Sequence, residues 1–597
     1  MKLDRETAEA LNVIRTRSGR VLTGNISFDE LCERYNVTGM ERLFADNGCA
    51  ERTRKAGLDL WYIIRFEGSA EQVAEDFGEI AGVNHVEIPR RITKVGGMSR
   101  KSGTPWRKLM ALPKAAPSNY PFNDPLFGGQ WPLYNDGTIN ANAQAGADIN
   151  VLPAWEKTAG RSDVIVAVVD EGVEYTHPDL AGNMWSGIGK NFCDRDNDDI
   201  TWGEGHGTHV AGTIAAVSNN GIGISGIAGG TGGGNGAKIM SCEIFHPTDG
   251  HYDANSNATA DAIKYAADNG AVILQCSWGY NSALADVATS MRGFATDEEW
   301  AQNCPLEKEA MDYFIHNAGS PNGTIEGGLI IFASGNEYAA AAGYPGAYGD
   351  FISVAAMDAS FMPSSYTNYG RGVDITAPGG DSDYHKSVQG SVYSTMPPLL
   401  SDGVGYGYMD GTSMACPHVS GVAALGLSYA AKLHKHFTAK QFKELILQST
   451  RDLSPYMSGS KLYYKYYALA GESTPVLMEM NKYYQGQMGS GLIDANKLLT
   501  LVEGNGVKQE LPNIYLATGE KNRQTLEPAR FFDGGESMTF TVESANPEIA
   551  TAAIEGNKII ITGTAIGSTS YTVTASNGEK QTADITVRRK ANDNGWL

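Results

Sequence analysis

The run Val164-Ile165-Val166-Ala167-Val168-Val169 is apolar without a break and stops at Asp170-Glu171-Gly172. A strand that is hydrophobic on both sides needs cover on both faces, which a parallel sheet flanked by helices supplies. Asp170 then stands at the carboxyl end of that sheet, where open α/β folds place their sites. Two further runs repeat the pattern. Leu329-Ile330-Ile331-Phe332-Ala333-Ser334-Gly335-Asn336 delivers an amide, and Ala271-Val272-Ile273-Leu274-Gln275-Cys276 leads into Ser277-Trp278-Gly279. The expected fold is α/β, with a doubly wound, mostly parallel sheet.

Two stretches read as helix openings. In Gly205-His206-Gly207-Thr208-His209-Val210-Ala211-Gly212-Thr213, His206 begins a helix of small residues. In Asp410-Gly411-Thr412-Ser413-Met414-Ala415-Cys416-Pro417-His418, the glycine makes a tight approach and Val419, Val422, Ala423, Leu425 and Leu427 follow at helical spacing. Ser413 is thereby expected at a helix N-terminus, where free N–H groups and the dipole favour developing negative charge. Pro417 is expected in the first turn, which does not need its missing donor. Taken alone, the segment reads as a Ser N-cap on a small-residue helix. Cys416 reads as a helix-packing residue rather than a reactive thiol.

Together the acid, histidine, serine and amide stretches resemble the subtilase family of serine endopeptidases, over roughly residues 123–502. Tyr344-Pro345-Gly346, Ile352–Ala356, Ser365–Gly370, Val373–Gly379 and Gly489–Ala495 continue the resemblance in order. It implies that Asp170 orients the imidazole, His206 is general base and then acid, Ser413 attacks the scissile carbonyl, and Asn336 donates to the oxyanion. A serine hydroxyl needs such a base before it is a useful nucleophile. Ser277, Trp278 and Gly279 with Ala333, Ser334 and Gly335 would line the primary substrate pocket, although Trp278 reads equally as a core residue. Glu171 stands where the family usually carries Ser or Thr, an added acid that would shift the pH profile without abolishing the triad. The resemblance also implies structural Ca²⁺ held by Asp124, Asp179, Asn220 and the carbonyls of Val217, Ile222 and Ile224, since Ca²⁺ takes six to eight oxygens. Asp194-Arg195-Asp196-Asn197-Asp198-Asp199 reads equally as a second cation site or a solvated acidic loop.

The remaining chain surrounds this region. Residues 1–96 read as a small α+β unit: a helix from Ser27 to Leu43 opened by a Ser27–Glu30 capping box, a strand from Leu58 to Phe66, a helix starting at Ser69, and a strand from Val83 to Ile88. The last two resemble the end of a subtilase inhibitor-type prosegment, with its first strand cut to Lys2-Leu3. Residues 97–122, which overlap a basic stretch 90–114 with eight Lys and Arg and no acid, read as a cleavable linker. Residues 123–503 form the catalytic region, with insertions at 280–328 (helix-like from Pro305 to His316) and at the Tyr-rich 453–488. Residues 508–590 read as an antiparallel β-sandwich resembling bacterial immunoglobulin-like domains, with turns at Gly556-Asn557 and Asn577-Gly578.

A net charge of -21 argues against a nucleic-acid partner. No apolar run is long enough to span a bilayer. No secretory leader is visible; family members with prosegments are usually exported, so a leader is expected to be missing from this sequence, and the protein is expected in the medium or cell envelope. Seven cysteines are too few and scattered for a disulfide scaffold, and their odd number leaves at least one unpaired. The expected function is a self-processing zymogen of a serine endopeptidase, with protein or peptide substrates and its own prosegment as inhibitor. The alternative is a catalytically silent scaffold that binds a surface.

Overall fold

The computed structural model describes residues 1–17, 19–44, 48–94, 114–194, 199–248, 251–467, 472–508, 510–518, 522–532 and 538–588. Most of the linker and the centre of the Asp194–Asp199 loop lie outside these. The chain divides into two compact units, one of Met1–Gly319, Gly327–Ser428 and Ala439–Leu499, the other of Ser320–Glu326, Tyr429–Thr438 and Thr500–Leu597.

The first unit is built on a nine-stranded sheet with the order Thr450–Arg451, Leu492–Ile493, Ile375–Pro378, Ile352–Met357, Leu329–Ala333, Ile273–Cys276, Ile165–Asp170, Lys238–Glu243, Met184–Asn191. All neighbours run parallel except the short edge pair Thr450–Arg451 and Leu492–Ile493. The apolar runs are buried apart from the half-buried Ile165 and Val272 near their starts, as strands covered on both faces must be. Strand order reverses beside Ile165–Asp170: the chain goes first to the edge strand Met184–Asn191, returns to Lys238–Glu243, then crosses to Ile273–Cys276 on the other side. That reversal opens a crevice at the carboxyl ends of the two central strands, which are the ends that carry Asp170 and Ser277.

Residues 1–94 fold as α+β with their own core of Leu3, Phe28, Val37, Met40, Val73 and Phe77. The helix expected from Ser27 to Leu43 ends at Arg34, and its cap is Asn25, whose side chain accepts from the Ser27 and Phe28 N–H groups. Asn36 turns at φ 44°, and Gly39–Arg42 becomes a strand paired with Tyr62–Arg65. The expected Leu58–Phe66 strand is correspondingly shorter, because Leu58–Leu60 is a 3-10 turn. Ser69 caps the Ala70–Gly78 helix, and Lys2–Leu3 pairs with Val83–His85.

This part packs on the first insertion. Helix Pro305–Asn317 offers Glu309 to both Lys2 Nζ (2.5 Å) and Trp61 Nε1 (2.8 Å). Glu87 Oε2 accepts the Leu306 N–H at 3.3 Å, serving an orphan donor of the helix start. The neighbouring Glu307 is fully buried, and its carboxyl is pushed up to about 8, first by burial and then by the Glu87 charge. A carboxyl raised in this way holds an extra proton in the folded state, so its contribution to stability falls as pH rises from the usual carboxylate range through about 8. Thermal melts between pH 5 and 8.5 are therefore expected to show a steeper loss of Tm in wild type than in Glu307→Gln. Parallel curves for the two proteins would contradict that assignment.

The second insertion is the hairpin Ser460–Tyr467 with Glu472–Glu479. Lys461 anchors it: the buried ammonium donates to Asp358 Oδ2 (2.6 Å), Asp381 Oδ2 (2.7 Å) and the Pro363 carbonyl (2.8 Å), which uses all three of its donors.

The second unit contains a sandwich of two sheets. One runs Ile514–Ala517, Lys580–Arg588, Gly567–Ala575, Phe540–Ser544, and the other Arg523–Leu526, Lys558–Gly563, Ala550–Glu555. Ile514, Phe532, Ile559, Ile561, Tyr571, Val573 and Ile585 fill its core. The expectation of a wholly antiparallel sandwich needs one correction, since Ile514–Ala517 pairs parallel with Lys580–Arg588. Among the described residues no helix is long and apolar enough to cross a membrane.

Candidate active site

Asp170 is the last residue of its strand and His206 the first of helix His206–Ala215. The His206 Nδ1 lies 2.9 and 3.0 Å from the two Asp170 carboxylate oxygens, so the ring nitrogen facing the acid is the donor and its tautomer is set. Asp170 is itself held by the Glu171 N–H at 2.8 Å. Both side chains are buried, and His206 Nε2 has no hydrogen-bond partner among the described residues. Nearby histidines do not compete for protons at neutral pH. Burial, then the His206 charge, pushes His209 down to about 3, and burial pushes His418 down to about 4.

Ser413 is the second residue of helix Thr412–Lys432, so Pro417 lies past the first turn, not within it as expected. The proline has no N–H to return to the carbonyl four residues earlier, which is that of Ser413. The Ser277 hydroxyl supplies the missing donor at 2.9 Å and is in turn fed by Gln275 Nε2 at 2.8 Å. Ser413 Oγ faces the Ser277 carbonyl at 3.5 Å, so Ser413 and the central strand end are tied in both directions. Cys416 is buried against Gln275 and Ile331, and burial pushes its thiol up to about 12, which leaves it protonated.

Asn336 is half-buried at the end of its strand, and its Oδ1 accepts from both the Thr412 N–H (2.9 Å) and the Thr412 hydroxyl (2.8 Å). A backbone N–H can only donate, so the oxygen must face Thr412 and the Nδ2 group faces the other way. The loop around it is organised by Asn368, to which the sequence reading gave no role. Its Nδ2 donates to the Ser334 carbonyl (2.9 Å), and its Oδ1 accepts from Glu337 N (3.1 Å) and Ala339 N (2.9 Å). Gly335 sits at φ 112°, and a Cβ there would come within 2.2 Å of Asn368 Nδ2. Its N–H reaches Thr412 Oγ1 at 3.3 Å.

Of the expected pocket residues, Ala333 and Ser334 are buried at the strand end, and Ser277 supports Ser413. The Trp278 side chain is core: it is fully buried, donates to the Val169 carbonyl at 2.9 Å and meets Phe332 edge-on. Its backbone does something else. Strand Trp278–Gly279 pairs antiparallel with Arg91–Lys94, with Lys94 opposite Trp278 and Thr93 opposite Gly279. On its other side Arg91–Lys94 pairs with His251–Asn255. A segment of the N-terminal part thus lies as a strand beside the crevice, one residue from Ser277, with Ile92 fully buried.

The expected calcium ligands gather, but as a hydrogen-bonded loop. Asp124 accepts from Asn219 N (2.9 Å), Asn220 N (3.1 Å), Ser225 Oγ (2.6 Å) and Tyr120 OH (3.0 Å). Asp179 accepts from Asn220 Nδ2 (2.7 Å), Ile224 N (2.9 Å) and Tyr406 OH (3.2 Å). Asn220 Oδ1 is held by the Ile222 N–H at 3.0 Å, so the amide turns its nitrogen toward Asp179. Asp124, Asp179 and Asn220 thus lie in one loop in which their oxygens are met by N–H and O–H donors. Among the described residues no group of three or more His, Cys, Asp or Glu is placed to hold a metal ion. Tyr120 stacks on Phe127 at 3.9 Å, so the folded body begins before Asn123.

The sequence model of the Subtilase family matches residues 161–466, just over half of the chain. A thermophilic serine proteinase of Bacillus sp. (strain AK1) is 34% identical over 317 residues, 52% of this chain and 62% of that protein. Halolysin of Haloferax mediterranei is 30% identical over 397 residues, 65% of this chain and 62% of its own length. Thermitase of Thermoactinomyces vulgaris is 33% identical over 291 residues, 49% of this chain and 84% of thermitase. The chain thus spans about three fifths of the first two relatives. The matched region contains Asp170, His206, Asn336 and Ser413, with most of the parallel sheet described above, and the chain belongs to the subtilase family.

Proposed function

We propose that the protein is a serine endopeptidase made as a self-processing zymogen. The observation that carries this reading is the antiparallel pairing of Arg91–Lys94 with Trp278–Gly279, which sets an extended peptide one residue short of the Ser277–Ser413 contact. Main-chain pairing to a free strand is how an extended peptide is held without regard to most of its side chains. Ser413 Oγ attacks the carbonyl carbon of a peptide lying there and passes its proton to His206 Nε2. Asp170 keeps the opposite ring nitrogen protonated and stabilises the imidazolium. The carbonyl oxygen gains the negative charge and is met by Asn336 Nδ2 and the Ser413 N–H, donors fixed before the reaction begins. His206 then protonates the leaving amine, and water releases the acyl group by the same steps with His206 as base.

For Ser413 Oγ to reach His206 Nε2 it must swing from the Ser277 carbonyl, a rotation about one side-chain bond. A weak 3.5 Å contact resists that little. Residues 1–94 act as the inhibitor in this reading, docked through Glu309 and Glu87 and blocking the strand that substrate would use. Export to the medium or the cell envelope belongs to the same proposal, since a zymogen keeps the activity silent until then.

Purified full-length protein is expected to digest casein once processed, and a fluorophosphonate should stop it. Processing itself makes a sharper test. The strand that ends at Lys94 runs toward Ser277, which touches Ser413, and an intramolecular substrate is present at high effective concentration. N-terminal sequencing of the processed protein should therefore read from Gly96 or Gly97, at a fractional rate independent of dilution. A first cut beyond Gly103, or a rate that falls on dilution, would show that the tail is not cleaved in the crevice where its strand leads.

A further inference from the structure

We propose that Glu171 is a positioning residue for His206, acting through the histidine backbone rather than its ring; this rests on the endopeptidase reading above. Glu171 is fully buried, and its Oε1 accepts the His206 N–H at 2.5 Å. That N–H is one of the donors a helix start cannot satisfy internally. Gly205 precedes the helix at φ 86° and has no side chain, and an N-cap oxygen would in any case serve the second or third helical N–H rather than that of His206. The carboxylate serves this first donor from the end of the adjacent strand, where a helix N-terminus favours negative charge.

The bond matters because the rest of the contact leaves His206 little room elsewhere. Gly207 packs so tightly on the turn after Asp170 that a Cβ would meet the Gly172 carbonyl oxygen at 2.3 Å. Thr208 Oγ1 accepts the Glu174 N–H at 2.9 Å. The first turn of the helix is thus pinned to residues 170–174 at three points, and Glu171 makes the one that holds the His206 main chain. Asp170 reaches Nδ1 with both oxygens only while that main chain stays at its present height above the strand end. Burying a second carboxylate beside Asp170 is costly unless it is fully used. Its use here is the placement of the base, whose misplacement by about 1 Å costs roughly a hundredfold in rate.

Glu171→Ala in the full chain is expected to lower kcat on a chromogenic peptide by roughly ten- to a hundredfold, with KM within about twofold. Glu171→Gln keeps an acceptor oxygen at the same reach and is expected within about threefold of wild type. If Glu171→Ala melts too low to assay, Glu171→Met fills the volume without an oxygen and carries the same expectation. An Ala or Met variant with unchanged kcat overturns the proposal. So does a folded Gln variant as impaired as Ala, since charge rather than the bond would then be what counts. A wild type that neither cleaves peptides nor reacts with a fluorophosphonate overturns the endopeptidase reading, and this proposal with it.

Discussion

Replacing Ser413 with alanine is expected to lower peptide hydrolysis by about a millionfold, a figure that belongs to the loss of the nucleophile in subtilisin, another subtilase. No neighbouring group can take over. Ser277 Oγ is committed to the Ser413 carbonyl, and the Cys416 thiol is buried and protonated. What remains is the background from the oxyanion donors and binding alone. Fold should survive, because the contact that secures this turn uses the Ser413 main-chain carbonyl, which alanine retains. Equal thermal melts with residual hydrolysis within tenfold of wild type would remove Ser413 from the mechanism. The same variant should stay unprocessed, because its own nucleophile makes the cut.

Asn336→Ala is expected to lower kcat by about 100- to 1,000-fold with KM little changed, again on the scale of the equivalent amide in subtilisin. The direction of the split follows from geometry. Thr412 fixes the amide so that Nδ2 faces away from the helix, and a donor aimed where charge develops gains most when that charge appears. Part of the loss will come from the Thr412 N–H, which loses its acceptor next to the nucleophile. Asn336→Asp keeps that acceptor while removing the donor, so it should remain severely impaired. Recovery of kcat in Asn336→Asp would mean that Asn336 serves the helix and not the oxyanion.

The sequence carried the sheet and the three chemical side chains because each is announced locally. An unbroken apolar run can hardly be anything but a buried strand, and Asp170, His206 and Ser413 stand at its end or at the starts of small-residue helices. What it could not carry depends on contacts far apart in the chain. Pro417 was misplaced in its helix because the start at Thr412 is set by the Asn336 side chain, 76 residues earlier. Trp278 reads equally as pocket or core from the sequence, and only Val169 and Phe332 decide for the core. The Ser27–Glu30 spacing was a true capping pattern overruled by Asn25, which reaches two N–H groups at once. Residue types at the right spacing likewise do not reveal that Asn220 turns its nitrogen to Asp179. Asn368 acts through main-chain groups of another segment, which no spacing rule reveals; Glu171 stands out in the sequence as an added acid, but its bond to the His206 N–H does not.

The central claim is that Ser413 is a serine nucleophile activated by His206. Mass-spectrometric mapping of the processed protein after treatment with a fluorophosphonate tests it most directly. The account predicts one stoichiometric adduct, on the peptide that contains Ser413, together with loss of casein digestion, and no adduct in His206→Ala over the same time. An adduct on another serine, or casein digestion that persists after Ser413 is fully labelled, would contradict it.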